Sequence, residues 1–175
     1  MTHVFRLIAD TERFDVVRTV GKESRTRLAA LDGHPVRSSW SPQEVELVPV
    51  GQRGDFFGLS WSVPVVSERA WDTLRVDLEG DAEPLELQCP EQELIALNVF
   101  RADALDIQRS DLVEFPDGGI MKVRRYAFHD DVVRERLMFK IPASPGEVLV
   151  TGPFVELVES HALRGAVFIP LPRAS

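Results

Sequence analysis

The sequence predicts an α+β fold: one domain, residues 1–175, with a mostly antiparallel sheet and two main helices. Three observations carry this. Short apolar segments recur between turn residues, as strands do. Only two segments carry a full helix pattern, with a capping residue ahead and a glycine behind. And 175 residues without a linker, repeat or low-complexity stretch suit one domain.

The elements follow in order. HVFRLIA alternates, with Val4 and Arg6 on one side and Phe5 and Leu7 on the other, and reads as a strand. Asp10 or Thr11 then caps a short helix carrying Phe14, Val17 and Val20. Asp32-Gly33 is a tight-turn pair, so a hairpin is expected there with RTRLAAL as its first arm. Trp40 and Pro42 precede a strand over Val45 to Val50, and Phe56, Phe57 and Trp61 are expected to plug a core. Ser67 caps the clearest helix, whose stripe is Ala70, Trp71, Leu74 and Leu78 and whose stop is Gly80. Pro90 divides the next segment, and LIALNVF is apolar enough for a central strand. IMKVRRYAF and RLMFKIPA form a meander around a polar tip at His129-Asp130-Asp131, followed by the strand EVLVTG. Thr151 or Gly152 caps the last helix. Phe154, Leu157 and Val158 face the core and Gly165 stops it, before the closing strand AVFIPLP.

Composition narrows the function. The chain is 44% hydrophobic and 27% charged, enough apolar residues for a real core. Its 20 Lys+Arg against 28 Asp+Glu leave a formal charge of −8, the wrong sign for a nucleic-acid binder and the right one for a basic protein partner. The opening residues form neither a signal peptide nor a membrane span, which reads as cytoplasmic with no membrane partner. Cys89 is the one cysteine and has no basic neighbour in sequence to activate it.

No motif for chemistry emerges. The glycines at 51, 54 and 58 have the wrong spacing for a phosphate loop. His3, His34, His129 and His161 lack ligand spacing, so no metal, cofactor or catalytic residue is expected. The densest polar segment is NVFRADALDIQRSDL. On a strand, Asp103 and Asp106 would point to opposite faces. On a turn they share a side, and Asp103 then accepts the free N–H groups of that turn while Arg101, Arg109 and Ser110 tie it down.

The order of motifs resembles the eleventh-catalogued family of bacterial immunity proteins from polymorphic toxin systems, formerly a domain of unknown function and typified by a myxobacterial member. The matching segments are VFRLIAD, DGHPVRSSW with Trp40, GDFFGL before VVSERAWDTL, ALNVFRADALDIQRS, RRYAFHDD, MFKIP and VLVTGPFVELVESHALRGAVFIPL. The resemblance implies a non-enzymatic cytoplasmic antidote for a cognate toxin, often a nuclease, with Trp40, Asp103, Asp106 and Ser110 as framework residues. The exposed acids Asp130, Asp131, Glu156 and Glu159 are the toxin-binding candidates, since an acidic face steers a basic partner. Two other classes stay open. A homo-oligomeric scaffold would show an apolar patch at Phe56, Phe57 and Trp61, and a concealed enzyme would show a deep pocket at His129, Asp130, Asp103 or Cys89.

Overall fold

Alternation along VFRLIA makes strand β1 (Val4–Ala9), and both of its faces are covered: Val4 and Leu7 are buried in different core clusters. A strand covered on both sides sits between layers. The computed structural model describes residues 1–175 and continues with β2 (Val16–Thr19), α1 (Gly21–Ala29), β3 (Gln43–Val48), β4 (Phe56–Phe57), β5 (Val65–Ser67) and α2 (Glu68–Leu74). Then come β6 (Ala82–Gln88), β7 (Leu94–Val99), β8 (Asp111–Glu114), β9 (Ile120–Arg125), α3 (Asp130–Val133), β10 (Met138–Ile141), β11 (Ser144–Thr151), α4 (Gly152–Ser160) and β12 (Ala166–Pro170).

The strands form three sheets rather than one: β2-β3-β6-β7-β5-β4, β10-β11-β1-β12, and the ribbon β8-β9. Strand pairs within the sheets are antiparallel except for the short β3–β6 contact at Gln43–Leu87 and Glu44–Gln88, and isolated parallel bridges such as Val16–Gly58 and Arg101–Lys140 lie outside them. The mostly antiparallel α+β architecture therefore stands, with four short helices in place of two main ones.

Three apolar clusters follow from the period of two along each strand. Phe56, Val66, Leu97 and Val99 face the layer between the two large sheets, which α2 and α4 close with Leu74 and Phe154. Their neighbours Phe57, Val65, Leu94 and Ala96 face the opposite side, under Leu28 of α1. Val4, Phe139, Ile141 and Leu149 pack outward against Leu105, Val123 and Val133. The expected central strand is β7, buried between β6 and β5.

Several local expectations are corrected. Phe14 to Val20 is not a helix: Asp10 caps only a turn, through N–H groups of Glu12 and Arg13, and the β-branched run at Val16 and Val17 pairs with β3. RTRLAAL is not a hairpin arm but the end of α1, which buries Ser24 and Leu28 at a spacing of four. Asp32-Gly33 does turn, with Gly33 at φ +93° and the backbone of Val99 pressed against it. Helix α2 ends at Leu74, earlier than Gly80, while Leu78 remains buried in the turns that follow. Trp61 is 72% exposed and plugs nothing. IMKVRRYAF and RLMFKIPA do not pair around the His129-Asp130-Asp131 tip: β9 pairs with β8, and β10 returns to β11. Gly165 does not stop α4; Ala162 does, at φ +51°.

Candidate functional site

The four acids proposed to meet a partner are all exposed. Asp130 and Asp131 form the first turn of α3, and Glu156 and Glu159 lie on the outer side of α4. Met1 and Thr2 line both a small cleft containing Asp130 and an open groove containing Glu156. Arg109 and Arg173 share the Asp130 cleft, so its field is mixed rather than uniformly negative.

The framework residues divide. Asp106, not Asp103, caps the turn: its Oδ1 accepts the N–H of Gln108 and of Arg109, each at 3.1 Å. Ser110 ties that turn to the chain after β9, accepting the Ala127 N–H at 3.0 Å and donating to its carbonyl at 3.3 Å. Asp103 makes none of these bonds and lies exposed on an open groove with Ile107, Ile120 and Pro142. Capping needs a side chain placed just before the free N–H groups, and the turn begins three residues later than expected. Arg101 reaches elsewhere, donating to the Asp32 carbonyl at 2.6 Å and approaching its carboxylate at 3.4 Å. Trp40 is fixed by its indole N–H, which donates to the Glu86 carbonyl at 3.0 Å.

Two groupings escaped the sequence reading. The first surrounds the Asp32–His34 turn. Asn98 is buried and donates to the His34 carbonyl at 2.7 Å and to Glu83 at 2.8 Å, while Glu83 also accepts the Val36 N–H at 2.6 Å. The His34 ring beside Asp32 holds that carboxyl below its usual range. Lys140 of β10 belongs to the same neighbourhood. It is 0% exposed and its Nζ has no hydrogen-bond partner. Burial pushes its ammonium down to about 8; the Asp32 charge opposes that shift and the Arg101 charge adds to it. An amine of this kind has nucleophilic character near neutral pH, but the fold seals it from solvent. Its one sequence signal is a lysine inside MFKI, a run in which every residue is buried.

The second grouping is at the surface. Glu68 opens α2 and Glu93 precedes β7, where Ser67 pairs with Leu94, so the two carboxylates stand side by side. Glu93 pushes the Glu68 carboxyl up, with a smaller push from Asp72. Next to them, Trp40, Trp71, Pro42, Pro84 and Ile95 line an open groove of about 300 Å³ with Glu86 and Arg37.

Cys89 is half-buried and its thiol donates to Glu91 at 3.1 Å. Burial and that carboxylate push it up, the opposite of what activates a thiol. No group of three His, Cys, Asp or Glu side chains is placed to hold a metal ion. No helix is long and apolar enough to cross a membrane. Comparison with protein-family models and with curated proteins finds no match to this chain.

Proposed function

We propose that this protein is an antidote: it binds a basic toxin, a nuclease domain being the type case, and blocks it by covering its working surface, without catalysis. The resemblance in motif order suggests the class. The observation that supports it is the uncompensated acid on the surface. Glu68, Glu93, Asp130, Asp131, Glu156 and Glu159 are exposed, and none has a cation within ion-pair distance. Such charge costs the free protein self-repulsion and is recovered on meeting a basic surface. The area suffices: the chain exposes 9593 Å², and a stable interface takes about 800 Å² per partner. The scaffold reading loses its expected patch, since Phe56 and Phe57 are each only 2% exposed.

The test is capture from the native host with washes at low and then high salt. The expected result is one stoichiometric basic partner that kills when expressed alone and is silenced by co-expression. Association slows as salt rises, because the steering is electrostatic. Absence of any partner, with a self-associated particle in light scattering, would overturn the reading in favour of a scaffold.

A further inference from the structure

Three features of the groove between β6 and α2 restrict what can occupy it. Its walls are rigid. The Trp40 ring is tethered through its N–H to β6, and Trp71 sits on α2, whose first turn is held by Ser67 accepting the Ala70 N–H at 3.1 Å. Its backbone edge is poor. β3 pairs with β6 only near Leu87, and Pro84 removes a donor from the uncovered part, so an added strand gains little there. Its charge leans negative. Glu86 lines the groove without an ion pair, Glu93 lies two residues before the lining Ile95 on the same side of β7, and Glu68 lies one turn before Trp71 on α2. The one cation among the lining residues, Arg37, is exposed and pairs with none of these acids.

Two indole walls with carboxylates at the mouth suit a cation that also has a flat or apolar body. We infer that this groove receives an arginine side chain from a basic segment of the partner, stacked against Trp40 and Trp71 and countered by Glu68, Glu86 and Glu93. Arginine fits better than lysine because its planar guanidinium stacks on indole and still donates to carboxylates in its plane. The volume accommodates one such side chain rather than a folded element. Identifying the donor as a toxin rests on the antidote reading; the chemistry of the groove does not.

The three tryptophans supply the assay. In a ¹⁵N-correlated spectrum each indole N–H gives one signal, and exposed Trp61 serves as an internal control. Titration with the peptide Ac-Arg-Ala-Arg-Ala-Arg-NH₂ moves the Trp40 and Trp71 signals saturably and leaves Trp61 in place. The exposed double variant Glu68→Gln/Glu93→Gln weakens that binding about five- to tenfold. Equal movement of all three indoles, no saturation, or stronger binding of Ac-Pro-Ala-Pro-Ala-Pro-NH₂ would overturn the inference. So would movement of the same signals on simple concentration, which would assign the groove to a second copy of the chain. The two readings fail separately. A captured toxin that ignores the double variant removes the groove and keeps the antidote; peptide binding with no toxin captured does the reverse.

Discussion

Strand β10 meets two buried charges, and the fold treats them oppositely. At its start, Asp81 is 5% exposed and fully engaged: Oδ2 accepts the N–H groups of Leu137 at 2.7 Å and Met138 at 3.2 Å, and Oδ1 accepts Arg136 at 3.0 Å. Two residues past Met138, Lys140 is more deeply buried and donates to nothing through its side chain. The backbone explains why both persist. β10 is an edge strand, and its free side is stitched to the other large sheet. Asp81, just before β6, caps one end. At the other, the Lys140 N–H donates to Phe100 at 2.9 Å and its carbonyl accepts Ala102 at 2.8 Å. An unpaired edge is a hazard, and here both ends are covered. Asp81 does that work with its side chain, whereas position 140 does it with backbone alone. Its ammonium is therefore dispensable to the stitch.

The contrast predicts opposite signs. Asp81→Ala leaves the Leu137 and Met138 N–H groups without the carboxylate and takes the counter-charge from half-buried Arg136, which keeps only the Gly80 carbonyl, and lowers stability by about 3 kcal/mol in urea unfolding. Lys140→Met keeps the volume and removes an unpartnered charge, and raises stability at pH 7 by ~2 kcal/mol. If both variants lost stability, Lys140 would have a partner that the geometry does not show.

A pH series sharpens the same point. The ordinary lysine value is 10.5 and the folded value about 8. Below pH 8 both the folded and the unfolded chain hold the proton, and the cost of burying the charge is fully present. Between about 8 and 10 the unfolded chain holds more protons than the folded one, so stability rises with pH. The wild type therefore gains on going from pH 7.5 to 9.5 relative to Lys140→Met. Above that window Tyr126, pushed up to about 12 by burial and by Glu147, works the other way. Parallel curves for the two proteins would show that Lys140 titrates normally.

Neither site was legible in the sequence, for one reason: the residues that surround them are distant along the chain. Asp81 meets β10 more than fifty residues later, and Arg101 meets the turn at Asp32 across 69. What could be read was local. Ser67 as a cap, Pro90 as a divider and the apolar run of β7 each depend on neighbours in the chain. Where local patterns were ambiguous they misled: RTRLAAL suits a strand or a helix until Leu28 has something to pack on. Ser67 is half legible. Its cap is local, but the same hydroxyl also donates to buried Asp55 at 2.9 Å, joining β4 to α2. Ser67→Ala loses both bonds, so its cost in thermal or urea unfolding is about 1–2 kcal/mol, above that of an ordinary cap, and Asp55→Ala in the same background adds less than it does alone.

The smallest effect tests whether tolerated cost is confined to side chains. Helix α4 ends in two bonds, Leu163 N–H to the Val158 carbonyl and Ala162 N–H to the Glu159 carbonyl, each at 3.0 Å. That pair of bonds requires the left-handed conformation at residue 162, where glycine is usual. Here it is alanine, at φ +51° and exposed to solvent. Its Cβ meets the neighbouring carbonyl in that conformation, a strain glycine lacks. Ala162→Gly is therefore expected to stabilise the fold by up to ~1 kcal/mol, although glycine loses more backbone entropy on folding. A gain in melting temperature places Ala162 beside Lys140, as a residue the fold holds at a cost. A loss would mean that the closing bonds fix the turn so firmly that only the glycine entropy is felt, and Lys140 would then be the one costly position of the two.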